Sequence, residues 1–228
     1  MQVNFIGHAC FYLAGQAKIL IDPFITDNPA AVQSVEEFTP DYILVSHGHS
    51  DHLGDAIQIA LRTGAIIVSV TEVAKYCSRH GANIHAMHIE GSYRFGDIRI
   101  KLTPALHGSS TITEDGSVEC LGNPCGFVIN MNGKTVYHSG DTGLFSDMSL
   151  IGKLNDIDLA MLPIGDNFTM GPEDALEAVR FLTPKTVIPM HYNTWPLITQ
   201  DAKLFKSNVE KATGSQVVIL KPGESYQL

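Results

Sequence analysis

The chain has 228 residues, of which 44% are hydrophobic and 17% charged, and its formal net charge is -9. Its apolar runs are much shorter than the roughly 20 residues of a membrane span, and its first five residues lack the basic flank of a signal peptide. The acidic balance and the scattered Lys and Arg residues argue against a nucleic-acid surface. We therefore expect a cytoplasmic protein with no membrane segment, whose partner is a small-molecule substrate.

The first half of the chain predicts strands that alternate with turns and helices. The predicted strands are 3–7, 11–13, 19–21, 42–45, 65–70 and 84–88, and the predicted helices are a short one near 32–38 and longer ones at 53–62 and 71–78. Thr71 is the expected N-cap of the last of these helices, and Gly64 the expected C-cap of the helix before it.

The second half predicts two hairpins followed by strand–helix units. The hairpins pair 93–95 with 98–102 and 127–131 with 134–137, and the latter turns at Asn132-Gly133, a favoured type I′ dipeptide. Helices are predicted at 146–154, 172–181 and 201–212, and strands at 159–162, 186–190 and 216–220.

Two similar segments within the sequence suggest duplicated halves within one domain, 1–228. Cys10 to Asp22 and Cys125 to Asp141 are both hairpins that end in an acid, and each is followed by a new strand. We expect halves of about 1–95 and 96–228, each a mixed sheet, packed face to face with helices outside. The four cysteines form no Cys-x-x-Cys pair, and we interpret them as free thiols.

A cluster of metal-ligand residues follows the strand at 42–45. His47 and His49 are two residues apart, so in an extended segment their side chains point to the same side and can reach one cation. Asp51 and His52 lie where the loop turns into the next helix, so they can address a second cation.

Three more metal-ligand residues follow later strands, namely His107, Asp141 and His191. With the first cluster they make seven, enough for two divalent metal ions. Imidazole and carboxylate ligands without thiolate favour zinc, with manganese, nickel or iron as alternatives.

These residues resemble the motifs of the metallo-β-lactamase superfamily. Its His-x-His-x-Asp-His motif matches the segment 47–52. Its later motif aspartate, which stands in a Gly-Asp-Thr setting, matches Gly140-Asp141-Thr142. The resemblance implies an α/β four-layer αββα sandwich, two mixed sheets flanked by helices, with the site at one edge between the sheets. It implies that one metal is held by His47, His49 and His107, the other by Asp51, His52 and His191, with Asp141 as the bridge.

Three further segments resemble a narrower group of metal-dependent hydrolases related to ascorbate-6-phosphate lactonase. They are Ile6 to Phe11, Gly165 to Pro172 and Pro189 to Pro196. The chain departs from other branches of the superfamily, because it has no cysteine ligand near Asp141 and has His49 where the oxygen-reducing diiron branch has a glutamate.

The site predicts metal-assisted hydrolysis by a hydroxide that bridges the metals, because two divalent cations lower the pKa of a shared water from about 16 to near 7. Asp51 is the predicted catalytic carboxylate, and His8 is either a catalytic residue or a packed core histidine. Asn167, Thr169, Tyr192 and Asn193 follow strand ends and are predicted to bind substrate. We expect His138 to support a ligand. Asp22 is either a residue that likewise orients ligands or a structural turn acid, and the second interpretation is favoured.

Three functions stay open at this point. The favoured one is a dinuclear hydrolase of a small ester, lactone or phosphoester. The alternatives are a phosphodiesterase or nuclease of the same superfamily, and a non-catalytic metal-binding protein. Whether the chain forms a homo-oligomer is also open, because no residue pattern addresses it.

Overall fold

A computed structural model describes residues 1–113 and 115–228, and within these the chain forms two seven-stranded mixed sheets. The first sheet contains β1 (Gln2–Gly7), β2 (Cys10–Ala14), β3 (Lys18–Ile21), β4 (Tyr42–Leu44), β5 (Ile66–Val70), β6 (Ile84–Met87) and the last strand of the chain, β16 (Ser225–Gln227). The second contains β7 (Ser92–Phe95), β8 (Ile98–Pro104), β11 (Cys125–Met131), β12 (Lys134–His138), β13 (Leu159–Pro163), β14 (Thr186–Met190) and β15 (Gln216–Val217). A separate small hairpin, β9 (Ser110–Ile112) with β10 (Val118–Cys120), lies between β8 and β11 in the sequence but belongs to neither sheet.

The two sheets have the same pairing pattern. The first runs in the order β16-β1-β2-β3-β4-β5-β6, with antiparallel pairs up to β3 and parallel pairs from β3 to β6. The second runs β7-β8-β11-β12-β13-β14-β15, with antiparallel pairs up to β12 and parallel pairs beyond it. In each sheet a hairpin therefore leads into parallel strands that all end at the same edge.

Successive side chains of a strand point to opposite faces of the sheet, so each sheet has one face toward the other sheet and one toward the helices. On β11, Phe127 and Ile129 belong to the large apolar core that the two sheets share, whereas Val128 between them packs on the opposite side with the helices that cover the second sheet. Each such fully buried side chain stabilises the fold by roughly 1.5–3 kcal/mol. The four-layer αββα sandwich is thereby confirmed.

The helices are α1 (Ser50–Leu53), α2 (Ala56–Thr63), α3 (Thr71–Arg79), α4 (Met148–Leu154), α5 (Pro172–Leu182) and α6 (Ala202–Ala212). Short 3-10 turns occur at Val35–Glu37 and Pro196–Ile198. In the described part of the chain, no helix has the length and apolar character that crossing a membrane requires.

Several predicted boundaries were wrong. The helix predicted at 53–62 begins only at Ala56, as α2, because Gly54 at φ +38° ends α1 after Leu53. The Gly54 backbone lies against the Pro23 carbonyl, where a Cβ would collide. The N-cap of α3 is Val70, not Thr71, which is already helical. The strand predicted at 216–220 covers only Gln216–Val217, and the hairpin β9–β10 and the strand β16 were not predicted.

Candidate metal centre

The predicted metal ligands come together at one end of the cleft between the sheets. The segment His47 to His52 follows β4 of the first sheet, while His107, Asp141 and His191 follow β8, β12 and β14 of the second. Because parallel strands carry their next residues to the same sheet edge, four separate stretches of sequence converge.

The first ligand cluster is His47, His49 and His107, whose candidate ligand atoms all lie within 4.8 Å of one another. The nearest pair is His47 Nε2 and His49 Nδ1 at 2.9 Å. The ring of His107 lies 5.0 Å from that of His47 and 5.1 Å from that of His49, nearly perpendicular to both. Three imidazoles that present nitrogens to one point are a typical zinc-binding arrangement.

The second ligand cluster is Asp51, His52 and His191, joined by His8. Asp51 Oδ2 lies 3.9 Å from the Nε2 atoms of both His52 and His191. His8 Nε2 is nearer to the same oxygen, at 3.1 Å.

Asp141 lies between the two clusters. Its Oδ2 is 2.9 Å from His191 Nε2, 3.2 Å from His52 Nε2 and 3.6 Å from His107 Nε2. Since His107 belongs to the first cluster and the other two to the second, one carboxylate oxygen faces both.

Burial and charge together set the ionisation of the centre. Burial lowers the pKa of His47 well below its ordinary value, and lowers those of His49 and His107, so these imidazoles are neutral and able to ligate at neutral pH. Burial would raise the pKa of Asp141, but His52 and His191 outweigh it and hold that pKa well below its usual range. Asp141 is therefore a carboxylate.

The buried polar atoms of this centre fit divalent cations. His52 Nε2 and Asp141 Oδ1 are buried and have no hydrogen-bond partner among the described residues. Buried polar atoms without partners are costly, and here they sit within a set of imidazoles and carboxylates that is suited to zinc, manganese or iron. The residues present thus fit the divalent metal ions that the sequence predicts.

Asp22 contacts candidate ligands of both clusters, which supports the less favoured of its two predicted roles, that of orienting ligands. The fully buried Asp22 accepts hydrogen bonds at Oδ2 from His52 Nδ1, at 2.8 Å, and from the Ser46 hydroxyl, at 2.7 Å. The Ser46 oxygen in turn lies 2.9 Å from His47 Nδ1. Because the serine proton points to the carboxylate, His47 Nδ1 is the donor to Ser46, so both rings present Nε2 to the site.

His138 has a supporting role through the backbone. The Gly140 N–H donates to His138 Nδ1 at 3.0 Å, so the other ring nitrogen carries the hydrogen and donates to the Ala9 carbonyl at 2.9 Å. Burial lowers the pKa of this imidazole, in keeping with a neutral ring. His138 thus ties the loop before Asp141 to the loop that carries His8.

His8 is buried and makes two polar contacts. Its Nδ1 lies 2.8 Å from Thr194 Oγ1, and its ring lies 3.9 Å from that of His191 and 4.8 Å from that of Trp195. Burial lowers the pKa of His8 to about 4, although its hydrogen bond with Asp51 acts to raise it. A neutral His8 that donates to Asp51 must accept from the Thr194 hydroxyl.

A cavity of about 880 Å³ opens beside the centre, within the size range of small-molecule sites. His49, Asp51, His107, Asp141 and His191 line it together with apolar side chains that the sequence had not singled out: Phe24, Leu53, Phe168, Trp195 and Leu197. Trp195 follows His191 closely in sequence, but nothing in the local pattern indicated that it faces a cavity.

The four residues predicted to bind substrate are not among those that line this cavity. Asn167 and Asn193 have positive φ angles of 50° and 58°, a conformation that asparagine tolerates better than most residues, so they shape turns. Tyr192 and Asn193 border a different depression near α6, and Thr169 turns its hydroxyl toward the Met170 carbonyl at 3.4 Å.

The fold and the clustered histidine and aspartate residues together define the class of metal-dependent hydrolases of the β-lactamase superfamily. Residues 17–192 match the family model described as "Beta-lactamase superfamily domain". An isothiocyanate hydrolase from Delia radicum gut bacteria shares the fold, with a TM-score of 0.80 at 22% identity over 100% of this chain and 99% of its own.

More similar relatives specify the family. A UPF0173 metal-dependent hydrolase of Pelotomaculum thermopropionicum is 64% identical over 228 residues, covering 100% of both chains. The structure of Igni18, a metallo hydrolase from the archaeon Ignicoccus hospitalis, has a TM-score of 0.90 at 38% identity and covers 100% of this chain and 98% of its own. The chain belongs to the UPF0173 family of metal-dependent hydrolases within the β-lactamase superfamily.

Proposed function

We propose that this protein is a dinuclear hydrolase that cleaves a small ester, lactone or phosphoester, with zinc as the favoured metal. The observation that carries the proposal is the placement of Asp141. Its Oδ2 lies 2.9 Å from His191 Nε2 in the second cluster and 3.6 Å from His107 Nε2 in the first, so one oxygen can serve two cations.

The opening of the centre favours catalysis over a structural metal site. A structural site closes its coordination with protein ligands, whereas His49, Asp51 and His107 line an open cavity. Two divalent cations bound here would lower the pKa of a shared water to near 7 and polarise the bond that is attacked.

The protein's own residues then orient the reaction. The Asp51 side chain is 25% exposed and that of Asp141 3%, so Asp51 is the carboxylate that can accept a hydrogen bond from an attacking water. His8 Nε2 holds Asp51 Oδ2 at 3.1 Å, and Thr194 holds the His8 ring from its other side. His8 is therefore a positioning residue for Asp51 in this proposal.

Asp141→Asn tests the proposal. We expect the variant to bind about one metal per chain instead of two and to lose at least 100-fold in chelator-sensitive turnover of generic esters, because a neutral amide is a poor bridge between cations. Metal content is measured by mass spectrometry, and circular dichroism checks that the fold is intact. A variant that keeps both metals and full turnover would show that Asp141 is not the bridge.

A further inference from the structure

Among the described residues, the cavity beside the metal centre is lined by acids and by histidines, but by no Lys or Arg side chain. Among the described residues that line it, the charged ones are Asp27, Asp51, Asp55 and Asp141. The chain has fifteen Lys and Arg residues, and none of them reaches this cavity. Arg62, for example, donates to the carbonyls of Val35 and Phe38, and Arg79 pairs with Glu119.

This charge distribution disfavours a phosphate group. The four carboxylates would offset the four positive charges of two divalent cations, so the loaded cavity has no excess positive charge for an anionic substrate. Sites that bind phosphate usually supply Arg or Lys side chains in addition to metals. Here the lining supplies the negative charges of Asp27 and Asp55 instead, although the Asp55 carboxylate accepts hydrogen bonds from Ile25 and Thr26.

The remaining cavity wall is apolar and partly aromatic. Phe24 and Trp195 lie 6.1 Å apart, centroid to centroid, and Leu53 lies beside them in the lining. Phe168 and Leu197 are 51% and 63% exposed, so a bound group that covers them would remove apolar surface from water.

We propose that the substrate is an uncharged carbonyl compound, an ester or lactone, with an aromatic or aliphatic group that packs on the wall formed by Phe24, Phe168, Trp195 and Leu197. This inference rests on the hydrolase proposed above and excludes phosphoesters from its substrate range. Water adds its oxygen to the carbonyl carbon, the bond to the leaving oxygen breaks, and one proton from water passes to that oxygen. The second proton of water is released to solvent. The products are an alcohol, or the hydroxyl end of an opened lactone, and a carboxylate, which Asp27 and Asp55 would help to expel.

The first test uses p-nitrophenyl acetate, butyrate and hexanoate, which share one leaving group and differ in the length of the apolar chain. For the metal-loaded protein we expect kcat/KM to rise at least 10-fold from acetate to hexanoate. Leu197→Ala should flatten this rise. Leu204→Ala is the matched control, because Leu204 is 59% exposed on α6 outside the cavity, and it should leave the rise unchanged.

The second test measures binding without turnover. Trp195 is the single tryptophan of the chain and lines the cavity, so its fluorescence reports occupancy. We expect benzamide to bind the metal-loaded protein at least as tightly as phenyl phosphate, and Asp27→Lys to reverse this order by tightening phenyl phosphate at least 10-fold.

The outcomes separate the two proposals. If no ester or phosphodiester is turned over in a chelator-sensitive way, the hydrolase itself is wrong. If turnover is present but phenyl phosphate binds the unmodified protein at least 10-fold more tightly than benzamide, or kcat/KM is independent of chain length, the hydrolase stands and the substrate class proposed here is wrong.

Discussion

Asp22 shows how one residue can govern a centre to which it contributes no ligand atom. Through His52 directly, and through Ser46 to His47, its carboxylate determines which nitrogen of these two rings is presented to the centre. A metal-bound histidine usually needs such a partner, and losing it typically costs 10–100-fold in affinity.

We expect Asp22→Asn to weaken metal binding about 10–100-fold, because an amide can donate to His52 or Ser46 and so permit the wrong ring tautomers. Competition with a fluorescent zinc chelator measures the affinity. The control is Asp158→Asn, which changes another buried acid, bonded to the Thr135 N–H and to Lys185 but remote from the centre. Equal metal affinities in the two variants would contradict the role assigned to Asp22.

The sequence pattern points to the candidate ligands, and it also singles out His8, His138 and Asp22, but it does not indicate which contacts those three make, for a physical reason. His47, His49, Asp51 and His52 are neighbours in the chain, so their shared chemistry is visible as a pattern. Asp22 meets His52 across 30 residues, and Trp195 lines the cavity together with Phe24, which is far away in sequence. Such contacts depend on tertiary packing, which no local pattern records.

Among the elements, the loop between β12 and α4 is tightly packed at Gly140. Gly140 has a φ of +61°, and a Cβ there would lie 2.6 Å from the Cys125 carbonyl oxygen and 2.9 Å from Ser46 Cβ. The loop that delivers Asp141 is thereby packed directly on the segment that delivers His47. Only glycine fits both the backbone angle and the space.

Comparing Gly140→Ala with Gly133→Ala separates the cost of the positive φ angle from the cost of the missing space. Gly133 has a φ of +70°, and a Cβ added there would have no other atom within 4 Å, so alanine should cost only the backbone strain, about 1–2 kcal/mol. Alanine at Gly140 adds the collision, so we expect a larger loss in the free energy of unfolding and weaker metal binding. Urea denaturation and metal titration measure the two effects. Equal losses would mean that the contact with Cys125 is not tight.

The strands and helices with strong periodicity were predicted, whereas short edge elements were not. The Asn132-Gly133 hairpin and α5, which begins at Pro172, have local signals that match their structures. The hairpin β9–β10 and the strand β16 have only three residues per strand, too few for a clear alternating pattern, and β16 pairs with β1 from the opposite end of the chain. For β16 the stabilising contact lies outside any sequence window, whereas β9–β10 is local but too short to give a clear pattern.

At the scale of the whole molecule, the metal centre joins the two sheets. His47, His49, Asp51 and His52 follow the first sheet, and His107, Asp141 and His191 follow the second. The matching pairing order of the sheets is consistent with duplicated halves, although that origin stays a prediction. Cations held across the cleft would link the two sheets whether or not the halves arose by duplication.

We therefore expect metal loading to raise the melting temperature, because cations that bind only the folded chain stabilise it by mass action. The gain is about 4 kcal/mol for one site at a free metal concentration 1,000 times Kd. Calorimetry with and without EDTA measures it. The calorimetric control is Asp141→Asn, whose melting temperature should rise less on loading. An EDTA-treated protein that melts at the same temperature as the loaded one would contradict this linkage.

The metal-free protein should in addition lose stability in acid. Burial places the pKa of His47, His49 and His107 below the unfolded value of about 6.5, so below that pH the unfolded chain binds more protons and is favoured. Asp141, whose pKa is also lowered, acts in the same direction at lower pH, whereas the raised pKa of His52 opposes them. Because protons compete for the same imidazoles, the difference in melting temperature with and without EDTA should be smaller at pH 5.5 than at pH 7.5. An undiminished difference at pH 5.5 would mean that carboxylates, not imidazoles, dominate metal binding.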